Sequence, residues 1–248
     1  MAMRMKCTIS YDGTGFAGYQ VQPNKRTVQG DIEAALARIH KGESVKINAS
    51  GRTDAGVHAK GQVIHFDTSL KLPEDKWIVA LNSHLPDDIV MHQVKRTADD
   101  FHARFDALRK EYRYFIRLSK LRDPFSRQYA YHYKYPINVK MMEKAAETLI
   151  GTYDFTSFCS AKTEVEDRVR TINVIDIVED EDVLMFRFVG NGFLYNMVRI
   201  LVGTLLEVGR GLKMPEQMVE ILAAMDRNQA GKTAPPQGLY LWKVHYEE

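Results

Sequence analysis

Residues 49–59 read A-S-G-R-T-D-A-G-V-H-A, and their one carboxylate, Asp54, lies between two glycines, Gly51 and Gly56. Glycine permits positive φ and close backbone approach. The flanking segments 45–49 and 62–66 are apolar and β-branched enough to be strands. A carboxylate on a tight turn between two strands is positioned accurately and can face a cleft, where it can act as a nucleophile or as a base. Arg52, two residues earlier, is a cation able to keep such an acid ionised. The same residue types also suit an ordinary hairpin, with Asp54 satisfying its own turn and Arg52 in solvent.

Two further stretches carry unusual chemistry. Residues 104–122 hold seven cations against two acids, with Phe105, Tyr112, Tyr114 and Phe115 interleaved. Cations meet phosphates and aromatic rings stack on unpaired bases. Period two puts Tyr112, Tyr114 and Ile116 on one strand face and Arg113 and Arg117 on the other, a pattern that fits RNA binding or a strand with core tyrosines and a solvated basic face. Arg199 sits in an apolar run, M-V-R-I-L-V. A guanidinium there either snorkels to the rim or is buried and needs a carboxylate or several acceptors. Gly203, one turn on, allows another element to come close.

The elements that must position these groups follow from periodicity. Strands are expected over 4–11, 45–49, 61–66, 89–95, 112–118 (starting as early as 104), 168–178, 183–189 and 239–246. Helices are expected over 27–40 (Thr27 as N-cap), 73–85, 139–150, 193–208 and 215–225. Each half then reads β-α-β-β-α-β, a ferredoxin-like order of the α+β class, with an extra helix in the second half. The boundary falls near 97–104, giving an amino-terminal half over 1–103 and a carboxy-terminal half over 104–248. The β-β pairs predict antiparallel neighbours, with helices covering one sheet face.

Composition bounds the class. The chain has 248 residues, 45% hydrophobic and 27% charged, with net charge +2, ordinary for a globular protein and mildly basic. Cys7 and Cys159 form no disulfide framework and no zinc spacing; His58 and His65 have no companion ligands, so no metal is expected. The most apolar stretch, 193–208, is interrupted by Asn196, Arg199 and Glu207 and reads as a buried helix, so no membrane span is expected and the cytoplasm is the natural compartment. Lys25 and Arg26 could meet phosphates from a solvated loop. No dinucleotide, phosphate-loop or Gly-x-Ser-x-Gly pattern occurs.

The run G-R-T-D-A-G-V-H-A resembles the active-site motif of the TruA family of tRNA pseudouridine synthases over nine consecutive residues. K-E-Y-R-Y resembles that family's second motif and F-L-Y-N-M-V-R-I-L-V-G its third; the segments around 11–29 and 231–241 resemble its terminal patterns. The resemblance implies the pseudouridine synthase fold: two ferredoxin-like halves, an extended and mostly antiparallel sheet, and an active site in a central cleft. It implies isomerisation of uridine to pseudouridine at tRNA positions 38, 39 and 40, where the anticodon loop meets its stem, with no cofactor. It assigns Asp54 as the catalytic carboxylate, Tyr112 to the target base, Arg52 to the space or phosphate of the flipped base, and Arg199 to pairing with Asp54. It further implies a homodimer whose tRNA contacts both subunits. Two other classes fit single features: a tRNA-binding or RNA-folding protein without chemistry, which the basic aromatic window would support, and a hydrolase using Asp54 with Arg199. The intact Asp54 weighs against the first, and the lack of a second acid or metal set against the second.

Tyr112 supplies a test. Base–aromatic stacking is worth roughly 1–3 kcal/mol, so Tyr112→Phe should retain tRNA binding, whereas Tyr112→Ala should lose binding of the flipped base and rate together. Equal behaviour of the two variants in binding and turnover assays would rule out stacking.

Overall fold

The computed structural model describes residues 2–163 and 165–247. In chain order the described residues form β1 (Met3–Tyr11), α1 (Val28–Ile39), β2 (Ile47–Ala49), β3 (His58–Thr68), α2 (Glu74–Asn82) and β4 (Ile89–Arg96). They continue with β5 (Arg109–Arg117), β6 (Tyr131–His132), α3 (Val139–Glu147), β7 (Gly151–Asp154), β8 (Val169–Asp180), β9 (Val183–Gly190), α4 (Met197–Gly209), α5 (Gln217–Ala224) and β10 (Leu239–His245). The chain divides into two compact units, Met1–Leu108 with Tyr240–Glu248, and Arg109–Leu239.

The first unit has the expected β-α-β-β-α-β order. Its strands run β4-β1-β3 with β2 on the far side of β3, each neighbour antiparallel, which is the ferredoxin-like arrangement. Alternate residues of β1 (Met5, Cys7, Ile9, Tyr11) are buried, as period two requires. They pack in one apolar core with Ile32 and Leu36 of α1 and Trp77 and Leu81 of α2, all four fully buried. Thr27 caps α1 as expected, its Oγ1 accepting the Gly30 amide at 3.3 Å.

The strand expected over 61–66 begins earlier, at His58, so the end of the Asp54 motif is strand and not loop. The cause is non-local. Tyr240 and Leu241 of β10 pair in parallel with His58 and Ala59, and only the folded chain supplies that partner. Gly61 is needed at this crossing, because a Cβ there would lie 2.6 Å from the Trp242 carbonyl oxygen.

The second unit contains β5, α3, β8, β9 and α4 in the expected order and the extra helix α5. Its strands run β5-β9-β8-β7, all antiparallel, with short β6 parallel to the end of β5. The short strands β6 and β7 were not expected; pairing with β5 and β8 makes them strands despite weak local patterns. β5 starts at Arg109 and not near 104. Residues 102–106 form a turn instead, closed by the Asp106 amide on the His102 carbonyl at 3.0 Å and the His102 amide on the Asp106 carboxylate at 2.8 Å. The helix expected from 193 starts at Met197, because Asn196 adopts a left-handed conformation with φ 62°.

Eleven of the thirteen residues of α4 are buried. Gly203 does allow the close approach expected of it: a Cβ there would sit 1.7 Å from the Lys232 carbonyl oxygen. Gly203→Ala should therefore force the 230–233 segment away from α4 and cost roughly 1–3 kcal/mol. A drop of several degrees in Tm by calorimetry is the expected result, and an unchanged Tm would mean the segment can shift freely.

Candidate active site

The Asp54 loop connects β2 to β3 in the first unit. Asp54 is half-buried, Arg52 exposed and Thr53 buried. The turn is closed by the Val57 amide on the Asp54 carbonyl at 3.1 Å, with Gly56 at φ 76°. What holds the loop is mainly backbone. The Tyr19 amide donates to the Thr53 carbonyl at 3.0 Å. Gln62 Nε2 donates to the Gly51 carbonyl at 2.8 Å while its Oε1 accepts the Ser50 hydroxyl at 2.6 Å. Inside, the Tyr11 and Thr53 hydroxyls share a buried hydrogen bond at 2.7 Å. Burial pushes the Tyr11 hydroxyl up to about 12, so it remains protonated.

The neighbouring loop, 12–19, presses on the same turn. A Cβ at Gly13 would lie 2.0 Å from the Val57 carbonyl oxygen. A Cβ at Gly18, which has φ 107°, would lie 3.2 Å from the Thr53 carbonyl oxygen. His58 ties the two loops: its Nδ1 accepts the Gly13 amide at 3.0 Å, and its ring stacks on Tyr240 with centroids 4.6 Å apart. Asp12 Oδ1 also lies 3.2 Å from this nitrogen. The Asp12 carboxylate also accepts the Thr14 amide and hydroxyl at 2.9 and 2.6 Å. Sequence reasoning missed His58, Tyr11 and Thr53 as the frame of the loop; the signal was that the run 11–18 and the run 51–59 each carry turn glycines.

Arg26 is not free to meet phosphates. Its guanidinium makes a two-pronged pair with Asp88 at 2.7 Å on each arm, pairs with Asp31 at 2.9 Å, and lies 4.2 Å above the Phe16 ring. That geometry pins the 13–26 loop.

In the second unit, Tyr112, Tyr114 and Ile116 share the buried face of β5, as period two predicts. Tyr112 packs edge-on against Phe193, with centroids 5.1 Å apart. The opposite face is not a bare basic strip. Glu111, buried, takes Arg113 at 2.7 Å and Arg187 of β9 at 3.3 Å; Arg187 also pairs with Asp176 of β8 at 2.8 Å, and Arg117 with Asp182 at 2.9 Å. Glu111 is local to the strand, but Asp176 and Asp182 come from β8 and the turn after it, about 60 residues on in the chain, so the charge count of the window overstated what it presents.

Arg199 is half-buried in the first turn of α4. Its Nε donates to the Ala234 carbonyl at 2.7 Å and its Nη1 to Asn196 Oδ1 at 2.8 Å, while its own carbonyl accepts the Ala234 amide at 3.0 Å. The next residue, Pro235, accepts the Tyr114 hydroxyl at 2.7 Å. Residues 234–235 thus join the tyrosine strand to the arginine helix. Burial raises the Tyr114 hydroxyl well above its usual value, with the Arg199 charge pulling weakly the other way. Among the described residues no cluster of three or more His, Cys, Asp or Glu side chains could hold a metal ion, and no helix is long and apolar enough to cross a membrane.

An exposed arginine beside a glycine-framed carboxylate, together with a tyrosine-bearing strand tied to an arginine helix, fits an enzyme that acts on a base in a polyanionic chain. Comparison with known proteins agrees. Residues 8–106 and 145–247 match the family model described as tRNA pseudouridine synthase. The chain is 59% identical over 247 residues to tRNA pseudouridine synthase A of Geobacillus sp. (strain WCH70), covering 100% of both chains. It is 58% identical over 246 residues to tRNA pseudouridine synthase A of Bacillus subtilis (strain 168), covering 99% of this chain and 100% of that one. The chain belongs to the tRNA pseudouridine synthase family, isomerases that convert uridine in tRNA to pseudouridine.

The frame of the Asp54 loop can be tested apart from its chemistry. Tyr11→Phe leaves the buried Thr53 hydroxyl without this partner, at a cost of about 1–3 kcal/mol in stability. It should lower kcat for tRNA while leaving KM near the wild-type value, because the loop carrying Asp54 loosens and the RNA contacts do not change. Steady-state kinetics would show this, and a rise in KM at constant kcat would contradict it.

Proposed function

We propose that this protein isomerises uridine to pseudouridine at positions 38, 39 and 40 of the tRNA anticodon stem-loop, with Asp54 as the catalytic carboxylate. The observation that carries the reading is the Asp54 turn itself, a half-buried acid held by backbone bonds within the motif G-R-T-D-A-G-V-H-A, in a chain 59% identical to a protein named tRNA pseudouridine synthase A.

The chemistry fits the residues. The N-glycosidic bond breaks, the uracil turns, and its C5 joins the ribose carbon, with the C5 proton leaving and N1 regaining one; the change is redox-neutral. The target base must leave its stack to expose these atoms. Asp54 either attacks the sugar carbon, making a covalent intermediate, or abstracts a neighbouring sugar proton; both need it ionised. Tyr112 stacks on the uracil, Arg52 meets the flipped nucleotide or its phosphate, and Arg199, already fixed by Asn196 and Ala234, contributes its guanidinium to the substrate side of the site. The protein acts in the cytoplasm as a homodimer with tRNA contacting both subunits.

Mapping pseudouridine in undermodified tRNA incubated with the protein tests the reading. Wild type should modify positions 38–40. Asp54→Asn should form no measurable product while binding tRNA within about twofold of wild type. Turnover of the Asn variant within about tenfold of wild type, a barrier change of only ~1.4 kcal/mol, would remove Asp54 from its role.

A further inference from the structure

The second unit contains a cavity of about 450 Å³ lined by Ser160, Asn196, Glu207, Arg227, Asn228 and Lys232, among others. Its volume lies within the range of sites that hold small organic groups, not single ions, at roughly 300–1,000 Å³. Among the described residues its two cations, Arg227 and Lys232, meet no carboxylate. Arg227 is half-buried, and its guanidinium donates to the Ala230 carbonyl at 3.4 Å and the Thr233 hydroxyl at 3.1 Å. Both acceptors are neutral. The adjacent carboxylate of Asp226 is turned to the amide and side chain of Asn228, at 2.9 and 3.0 Å.

Among the described residues Glu207 is the one acid of the lining, and it is already engaged. Its Oε1 accepts the Lys232 backbone amide at 3.1 Å and its Oε2 faces Lys213 Nζ at 3.6 Å. Among the described residues no carboxylate pairs with the side chains of Arg227 or Lys232. A half-buried guanidinium whose protein acceptors are all neutral favours an anionic ligand, and its planar fork suits a phosphate. Asn196 and Asn228 add amide groups able to meet a base or sugar edge. One wall fixes the cavity's place: Asn196 also holds Arg199 Nη1 at 2.8 Å, so the cavity adjoins the guanidinium assigned above to the substrate.

We infer that this cavity receives a nucleotide of the RNA close to the target uridine, with its phosphate on Arg227 and Lys232 and its base or sugar edge on Asn196 and Asn228. The inference rests on the proposed activity on tRNA and extends it to a second, non-reacting nucleotide. The reacting uridine then has its chain gripped on one side, which fixes register without touching the chemistry.

The experiment uses undermodified tRNA with wild type, Arg227→Ala, Arg227→Lys and Lys232→Ala. For each alanine variant KM should rise about five- to tenfold with kcat within about twofold. The slope of log Kd against log salt should shrink by about 0.7–0.9 per lost phosphate contact. Arg227→Lys should recover part of the loss. Arg227 also braces the 230–233 segment, so its alanine variant alone would not separate bracing from binding; among the described residues Lys232 Nζ makes no hydrogen bond or ion pair, and Lys232→Ala with wild-type KM and salt slope would overturn the inference. So would a fall in kcat at unchanged KM for Arg227→Ala. Inorganic phosphate separates a free anion from an RNA phosphate: if millimolar phosphate raises the Tm of wild type and not of Arg227→Ala, while both bind tRNA alike, the site takes free anions and the inference fails. If wild type forms no pseudouridine, the proposed function falls on that ground, while Kd and salt slope still decide the cavity.

Discussion

The turn carrying Asp54, the carboxylate proposed above to do the chemistry, is fixed by hydrogen bonds to its backbone, and the rest of the first unit is arranged around that constraint. The carbonyls of Gly51 and Thr53 are tied to Gln62 and Tyr19, and the Thr53 hydroxyl to Tyr11. The cost is steric: Gly13 and Gly18 exist where they do because no Cβ fits against the turn at the first, and the second needs positive φ as well. Much of the first unit follows from this. His58 leaves the turn directly into β3, locks onto the Gly13 amide, and stacks on a tyrosine of β10.

The second unit solves a different problem, a guanidinium in an apolar helix. The cation is not left to one partner. Asn196, forced into a left-handed conformation just before α4, takes one arm, and the Ala234 carbonyl takes another. This needs the 230–235 segment to lie against α4, and Gly203 removes the side chain that would prevent it. The segment is anchored again by Arg227 on Thr233 and by the Tyr114 hydroxyl on Pro235. One stretch of chain therefore couples the tyrosine strand, the arginine helix and the charged cavity. Such shared anchoring makes substitutions along it non-additive.

The basic window of β5 shows how sheet pairing edits a charge pattern. Read linearly, residues 104–122 look ready to neutralise several phosphates. In the sheet, Glu111, Asp176 and Asp182 engage Arg113, Arg187 and Arg117. Partly exposed pairs of this kind add little stability, but they lower the net charge the strand presents. Arg227 and Lys232, which meet no carboxylate among the described residues, lie in a stretch of chain that no local charge run picks out.

The α+β class, the β-α-β-β-α-β order of the first half, the Thr27 cap, the alternating burial of β5 and the family are legible in the amino-acid order, because they depend on local periodicity, local caps and a contiguous motif. That order also marks Asp54, Tyr112 and Arg199 by residue type and setting. How those residues are framed is set by contacts between distant parts of the chain. The early start of β3 depends on Tyr240 and Leu241, more than 180 residues away. The late start of α4 depends on Asn196 accepting from Arg199 and on a left-handed turn that propensity disfavours. The roles of His58, Tyr11, Glu111 and Arg227 depend on partners brought in by pairing and loop packing. Hydrophobic pattern records which face of an element is buried; it does not record which distant polar group that face will meet, and the geometry of a polar site consists of such meetings.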